Sequence, residues 1–208
     1  MRTILTTMIL VIAATFAVSN AQQGGAFVGS LGIGLTAAQG DFSDDVVGFS
    51  AGSGFGMEAG LRYYLWRGFS LGGFINYMRF GSSYPATEGR LSFNYSQIGG
   101  LAKMNFIRLS DGAIFLSGGG GVFTPNKHMY IPDNSTDEIG PNSGYFGFGG
   151  FGLSSKTNTR LIYELDFRYN FARADYTLDD ISSNVWDFIY VGLNVSFASK
   201  GKATPPRY

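Results

Sequence analysis

The sequence predicts an all-β fold: an eight-stranded antiparallel up-and-down barrel. Apolar residues recur at every second position in eight segments, and this is the period of a strand rather than of a helix. Long and short connections alternate between the segments, as expected for strands that run up and down. Of the 208 residues 31 are glycine, and only 14% are charged, whereas soluble proteins average about 25% charged residues.

Composition excludes several classes of function. The formal net charge is +0, so the chain has no basic field that would hold the phosphates of a nucleic acid. The chain contains no cysteine and a single histidine, which removes disulfides, thiolate metal sites, most zinc sites and nearly all serine-histidine nucleophiles. We therefore expect no enzyme activity, no cofactor and no metal site.

The first 21 residues have the three parts of a secretory signal peptide. Arg2 precedes an apolar run at 8–18, and the small-residue stretch at 19–21 follows it. A transmembrane helix needs about 20 apolar residues, so this run is too short to be an anchor. The chain is accordingly divided into a signal peptide (1–21), a barrel domain (22–197) and a short periplasmic tail (198–208).

Two segments show the alternation most clearly. In segment 159–173, six large side chains share one face, namely Leu161, Tyr163, Leu165, Phe167, Tyr169 and Phe171. In segment 55–66, the corresponding face carries Phe55, Met57, Ala59, Leu61, Tyr63 and Leu65. Charged residues lie on the opposite face of both segments, together with glycines in 55–66, so each is predicted to be a strand with one apolar and one polar side.

The other six segments are less regular. Three of them, at 26–37, 69–79 and 185–197, still alternate over most of their length. The last three, at 91–106, 112–123 and 144–154, are strand-like but dense in glycine. Their period slips near Gln97 and in the glycine run 118–121, and we expect a β-bulge at such a slip.

The connections place the long loops at one end of the barrel. Long connections are predicted at 38–53, 80–90, 124–143 and 174–184, and short ones at 66–68, 107–111 and 155–158. An even number of strands of about 10 residues with an aromatic-rich apolar face is what a transmembrane barrel of the outer membrane requires. The long connections contain ten acidic residues, so we expect a negative outer end that binds divalent cations only diffusely.

The last strand resembles the barrel-assembly signal of outer-membrane proteins. Gly192, Val195 and Phe197 in YVGLNVSF occupy its matching positions, and GLRYYL and YELDFRYNF are typical of such barrels in style. From about residue 26 to 197, the chain resembles the small outer-membrane β-barrel family with its OmpA- and OmpX-type eight-stranded domains, a porin-like group. The tail after Phe197 departs from the pattern, because the signal normally ends the chain.

This resemblance implies where the protein is located and which partners it meets. It implies the outer membrane of a Gram-negative-type bacterium, reached by secretion through the signal peptide. The implied partners are outer-membrane lipid and, during biogenesis, periplasmic chaperones and the barrel-assembly machinery.

Charged residues of the glycine-bearing face are predicted to meet inside the lumen. They are Glu58, Arg62, Glu164, Asp166 and Arg168, with Lys103 as a further candidate. An eight-stranded barrel has room only for its own side chains, and buried charges must be paired. A salt-bridge network is therefore the favoured interpretation, and a proton or ion path is the alternative.

Two other motifs have less support as functional sites. The spacing of GFGGFG at 147–152 fits a dinucleotide-binding loop, but that site needs a helix after it, and the next segment is a predicted strand. His128 lies in a predicted loop without a neighbouring serine at strand spacing, so we expect a solvated or headgroup-facing histidine rather than a catalytic base.

We therefore predict an outer-membrane barrel without a wide pore, which has a structural or adhesion-like role through its long loops. The alternatives are a narrow channel for small solutes and a soluble lipocalin-like barrel, in which the apolar face would point inward around a ligand. Aromatic bands at the strand ends favour the membrane. They comprise Tyr63, Tyr64, Trp66 and Phe69 at one end, and Tyr77 and Phe80 at the other.

Overall fold

A computed structural model describes residues 25–40, 50–66, 68–83, 90–109, 111–130, 138–139, 143–156, 161–178 and 181–199. The predicted signal peptide, the tail beyond Ser199 and much of the long loops lie outside these residues. Over the described ranges, no helix is long and apolar enough to cross a membrane.

Almost every described residue belongs to one antiparallel sheet. Its strands are β1 (Phe27–Ala38), β2 (Ser50–Trp66), β3 (Phe69–Ser83), β4 (Arg90–Leu109), β5 (Gly112–Tyr130), β6 (Glu138–Ile139), β7 (Gly144–Lys156), β8 (Leu161–Leu178), β9 (Ile181–Val185) and β10 (Phe188–Ala198). Long strands pair with their neighbours along the chain, and β10 pairs with both β8 and β1, which closes the sheet. The predicted eight-stranded barrel is confirmed.

Two short strands add to the eight long ones. Strand β9 pairs with the part of β8 that extends beyond its pairing with β10. β9 and β10 together therefore occupy the position of the eighth strand, which is interrupted at Trp186 and Asp187. Strand β6 pairs with β5. The eight long strands therefore form the barrel, and the two short strands extend it at the end that carries the long loops. This end is called the loop end.

The opposite end, called the turn end, carries the short connections, the start of β1 and the end of β10. Gly68 in the β2–β3 turn has a φ of 91°, a conformation that favours glycine. At the seam between β1 and β10, the backbone N–H of Ser199 donates to the Phe27 carbonyl at 2.8 Å, and the Phe27 N–H donates to Ser199 Oγ at 2.9 Å. These bonds join the first and last strands and leave no open edge between them.

Several strands reach further toward the loop end than the sequence predicts. Strand β5 continues to Tyr130 and β8 to Leu178, into regions predicted as loops. His128 is one consequence, because its backbone lies in β5 and pairs with Ser92 and Glu138, so its placement in a loop is wrong. Backbone pairing extends these hairpins into segments whose sequence does not alternate between apolar and polar residues, so the period gives no signal there.

The β-bulges expected at the two slips in the sequence period are not observed. The ladder runs without a shift through Gln97 and through Gly118–Gly121. Irregularities lie elsewhere, between Ala51 and Gly54, Tyr64 and Trp66, Asn105 and Ile107, and Arg173 and Tyr176. Glycine has no side chain to mark a face, and Leu101 faces the lumen, so the polarity pattern is blurred although the strands are regular.

The bulky apolar side chains of the alternating strands point away from the lumen. Leu35, at 71% exposure, and Ile33 and Leu31, both at 64%, project from β1. Exposed side chains of the other strands include Phe55, Met57, Leu61, Ile75, Ile98, Val122, Phe151, Tyr163, Phe171, Leu193 and Phe197. The apolar face is therefore external, which contradicts the lipocalin-like alternative.

Each of the two predicted aromatic bands contains one residue that is not on the outer face. Tyr63 and Tyr77 are exposed on the outer face as predicted, whereas Phe80 is fully buried in the lumen. Phe80 has the same parity on β3 as buried Phe74 and Met78, so it belongs to the inner face. Tyr64 likewise alternates with exposed Tyr63 and lies on the lumen side.

Candidate functional site

All six predicted lumen charges are buried inside the barrel. Alternation on β2 and β8 turns their charged residues inward, and β4 adds a lysine. Exposure is 6% or less for Glu58, Arg62, Lys103, Glu164, Asp166 and Arg168. They do not form one network but two clusters at different heights.

The first group, the turn-end cluster, comprises Arg62, Lys103 and Glu164. Arg62 Nη2 donates to both carboxylate oxygens of Glu164, at 3.0 and 3.2 Å, and to Ser196 Oγ at 3.3 Å. Lys103 Nζ lies 2.5 Å from Glu164 Oε1 and 3.3 Å from the centroid of the Phe115 ring. Two cations share one carboxylate, so this cluster has an excess charge of +1.

The second group, the mid-lumen cluster, comprises Glu58, Asp166 and Arg168. Arg168 donates to Asp166 Oδ2 from Nε at 2.8 Å and from Nη2 at 2.5 Å. Its Nη2 also reaches Glu58 Oε1 at 2.9 Å, and its Nη1 bonds to Glu58 Oε2. One cation serves two carboxylates here, so the excess charge is −1 and balances that of the turn-end cluster.

Above these clusters, the lumen is filled by a group of rings and one thioether, the aromatic layer. Its members are Phe74, Met78, Phe80, Phe123, Phe146, Phe148, Trp186, Phe188 and Tyr190, all buried in one apolar cluster. Neighbouring rings meet edge to face, as between Phe80 and Phe188, whose centroids are 5.3 Å apart. Such contacts close the loop-end half of the lumen with apolar material.

Arg168 joins the two halves of the lumen. Its guanidinium carbon lies 5.0, 5.5 and 5.8 Å from the ring centroids of Phe148, Tyr190 and Phe74. The guanidinium therefore contacts carboxylates and aromatic faces together, and both kinds of contact favour a cation.

Glycine on the inner wall makes room for Tyr190, the largest fully buried side chain of the aromatic layer. A Cβ at Gly34 or Gly192 would lie 2.4 Å from a ring carbon of Tyr190, and one at Gly56 would lie 3.3 Å away. These three glycines stand on β1, β10 and β2, so the tyrosine ring covers a glycine floor that spans three strands.

A further ion pair stabilises the loop-end rim. Arg173 Nη1 lies 2.5 Å from Asp187 Oδ1, and the Tyr169 hydroxyl donates to Asp187 Oδ2 at 3.1 Å. The backbone N–H of Ala172 donates to the same carboxylate at 3.3 Å. Asp187 thereby fixes the break between β9 and β10. The sequence pattern does not predict this role, because a single aspartate after a tryptophan is not part of an alternating series of apolar and polar residues.

The remaining predicted sites lie on β10 and β7. Gly192 faces the lumen, whereas Phe197 is 58% exposed on the outer face. Their role in assembly stays a prediction. The GFGGFG segment lies within β7, and the strand β8 follows it in the described part of the chain. A helix that could receive a pyrophosphate does not follow it there.

Comparison with known proteins identifies the fold. No protein-family model matches the chain, and no curated protein matches its sequence significantly. Among solved structures, Neisserial surface protein A (NspA) shares 15% identity with a TM-score of 0.52, and the match covers 85% of this chain and 99% of that chain.

Ail, the attachment invasion locus protein of Yersinia pestis, was solved in complex with the heparin analogue sucrose octasulfate. It shares 16% identity with a TM-score of 0.51 over 85% of this chain and 99% of its own. At such identities the likeness concerns the fold. The chain has the fold of the small eight-stranded outer-membrane β-barrels, as the resemblance of its sequence implies.

Proposed function

We propose that the protein is an integral outer-membrane barrel that does not form a wide pore and acts structurally or as a surface-interaction protein through its loop end. The observation that carries this proposal is the filled lumen, where two buried ion clusters lie below a layer of packed rings. The proposal includes no enzymatic role. It does include secretion through the signal peptide and the biogenesis partners that the resemblance implies.

The outer face has the chemistry and the height of a membrane-spanning surface. Strand β1 has 12 residues, and at a rise of about 3.3 Å per residue and a tilt of about 45° it spans about 28 Å. Outer-membrane barrels present an apolar band of about 25 Å. The exposed leucine and isoleucine side chains of β1 fit lipid chains and would be costly in water.

The loop end supports a role in surface interaction. Strands β4, β5 and β8 have 20, 19 and 18 residues, so they extend well beyond the height of β1. The predicted long loops contain ten acidic residues against Arg90, Lys127 and, at their edge, Arg173. This excess of acidic residues in the predicted loops favours a cationic partner, or one that divalent cations bridge.

Of the two similar structures, NspA is a surface protein and Ail is an attachment invasion locus protein. Ail was solved in complex with a sulfated heparin analogue. We propose attachment for this chain as well, but to a partner of opposite charge. An acidic loop end repels a heparin-like polyanion.

The location and the closed lumen can be tested together. Unheated protein should migrate differently from boiled protein in a detergent gel and should fractionate with the outer membrane. Single-channel conductance in planar bilayers should be negligible. A large, stable wild-type conductance would favour the narrow-channel alternative, and recovery in the periplasm or medium would contradict the membrane location.

Attachment is tested separately with whole cells. Cells that display the wild-type protein should bind to a polylysine-coated surface more than cells that display Asp179→Asn/Asp180→Asn at equal surface level. Heparin-coated beads provide the control of opposite charge. Equal retention of both strains on polylysine contradicts the proposed surface role and leaves the barrel assignment unaffected.

A further inference from the structure

We propose that the outer wall of β3, β4 and β5 binds the phosphate group of an anionic lipid headgroup at the loop end, with Arg79 as the residue that contacts the phosphate. The site, called the headgroup patch, comprises Tyr77, Arg79, Asn94, Ser96 and Thr124. This inference rests on the proposed location in an outer membrane, and it adds a class of ligand that the location alone does not specify.

The order of side chains along β3 places Arg79 at the edge of the apolar belt. From the turn end upward, the outer face carries Phe69, Leu71, Gly73, Ile75, Tyr77 and Arg79. Phe69 stacks on Trp66 with ring centroids 4.6 Å apart. Arg79 lies ten positions further along the same strand, or about 23 Å higher at a rise of about 3.3 Å per residue and a tilt of about 45°. An apolar band of about 25 Å therefore ends near Arg79, at the level of the lipid headgroups.

Polar side chains surround Arg79 on the same outer face. Asn94 on β4 pairs directly with Arg79, and Ser96 on β4 pairs with Tyr77 on β3 and with Thr124 on β5. Directly paired residues of neighbouring strands have Cβ atoms about 4.5–5.5 Å apart, so each of these pairs is adjacent whatever the tilt of the strands. Three strands make the patch about 10 Å wide, which matches a single headgroup.

The patch is local, because the opposite wall stays apolar toward the loop end. On β1 the outward side chains from Leu31 to Ala37 are all apolar, and on β10 those from Phe197 to Ile189 are apolar as well. A headgroup that needs hydrogen-bond donors therefore finds them on β3–β5 and not on this wall.

The described residues do not compensate the charge of Arg79. Its side chain is exposed, and it has no ion-pair partner among them. By contrast, Arg173, the other described arginine at the loop end of the outer face, pairs with Asp187. The remaining described acidic side chains lie in the lumen or at the turn end. A cation at a membrane surface attracts anionic headgroups, and a guanidinium can bind two phosphate oxygens at once.

The wall below the patch favours a lipid over a free phosphate. Ile75, Ile98 and Val122 pair with one another across β3, β4 and β5, one step closer to the turn end than Tyr77, Ser96 and Thr124. Their side chains are 57%, 58% and 54% exposed. The acyl chains of a bound lipid pack against these residues, whereas a free phosphate makes no contact with them. The patch and this wall therefore match the two parts of a lipid molecule.

The first test compares lipids in symmetric vesicles. The refolded full-length barrel is heated in zwitterionic phosphatidylcholine, alone or with a minor fraction of phosphatidic acid, and the loss of heat-modifiable migration is followed. EDTA prevents divalent cations from bridging acidic loops to the lipid. The unfolding midpoint should be about 3–6 °C higher with phosphatidic acid when that lipid is near ten times its Kd. Equal midpoints would overturn this proposal, whereas failure to insert into either vesicle would contradict the proposed membrane location.

Three variants assign the effect to the headgroup patch. Arg79→Gln should lose most of the gain, because glutamine keeps hydrogen-bonding groups but has no charge. Arg79→Lys should keep part of it, since lysine binds phosphate as a point charge without the bidentate geometry. Arg173→Gln removes the other arginine of the outer face and should retain the gain. A full gain in Arg79→Gln would overturn the assignment.

A binding measurement that does not depend on unfolding distinguishes lipid from free phosphate. Native mass spectrometry of the full-length barrel in mild detergent, with phosphatidic acid added, should show one bound lipid and an affinity about fivefold lower for Arg79→Gln. An excess of inorganic phosphate should not displace the lipid. Displacement would mean that the site binds phosphate without the acyl chains, and equal affinities of the two proteins would mean that Arg79 does not bind the headgroup. Either result would overturn the proposal.

Discussion

The two halves of the lumen are filled by different chemistry. The turn-end half contains six charged side chains in two clusters of opposite excess charge, and the loop-end half contains the aromatic layer. A buried ion depends on its partner, because losing one partner leaves the other charge uncompensated. A ring depends on the volume it fills, since losing it leaves a cavity into which neighbours can relax. The two halves should therefore respond differently to substitution.

The largest effect is expected at the junction of the halves. Arg168→Ala leaves Glu58 and Asp166 buried without a cation, and we expect it to lower the free energy of unfolding by about 5 kcal/mol, at the upper end of the range for a broken buried pair. Urea titration of the barrel refolded into vesicles provides the measurement. The triple variant Arg168→Met/Glu58→Gln/Asp166→Asn should regain much of the loss. No regain would mean that Arg168 acts through its contacts with rings rather than with carboxylates.

Loss of a ring from the aromatic layer should destabilise the barrel less than loss of Arg168. An apolar side chain of similar size should restore much of the stability. Phe188→Ala removes a fully buried ring packed against Phe80, and we expect a loss of about 3 kcal/mol. Phe188→Leu should restore more than half of it, because shape and apolarity suffice in this layer. The same urea titration applies. If leucine restores nothing, the aromatic layer depends on ring-specific contacts and the contrast with the charged half weakens.

The glycines sharpen the comparison on a smaller scale. Gly34→Ala places a Cβ 2.4 Å from the Tyr190 ring, whereas a Cβ at outward-facing Gly149 meets nothing within 4 Å. We expect Gly34→Ala to destabilise the barrel by about 1–3 kcal/mol through overpacking. Gly149→Ala should be neutral, or stabilising by about 0.5 kcal/mol, because alanine restricts the unfolded chain. Equal losses for the two variants would show that the glycine floor beneath Tyr190 is not a tight contact.

The sequence predicted one half of the lumen better than the other, for a physical reason. Charged residues contrast with the apolar outer face, so alternation placed Glu58, Arg62 and Arg168 inward correctly. Phe80 and Leu101 are as apolar as the lipid-facing residues, so the same rule could not distinguish an aromatic layer from a membrane girdle.

Partner choice within the charged half could not be read from alternation. Glu164 and Asp166 lie on the same face of β8, two residues apart, and both were possible partners of Arg62. The stagger of the closed barrel decides between them: Arg62 contacts Glu164, and Asp166 pairs with Arg168. This stagger depends on how eight strands close together, which no single strand specifies.

The smallest effect is expected for the ion pair at the rim, where burial is incomplete. Side-chain exposure is 37% for Arg173 and 14% for Asp187, so water and salt screen this pair, unlike those in the lumen. Asp187→Asn keeps the shape and a hydrogen-bonding oxygen but removes the charge, and we expect a loss of about 0.5–1 kcal/mol, the range of exposed pairs. Urea titration at low and high NaCl provides the measurement. The loss should shrink at high salt, whereas the loss from Arg168→Ala should change little. An equal salt response at both positions would mean that the lumen ions are as hydrated as the rim, and the closed-lumen interpretation would fail.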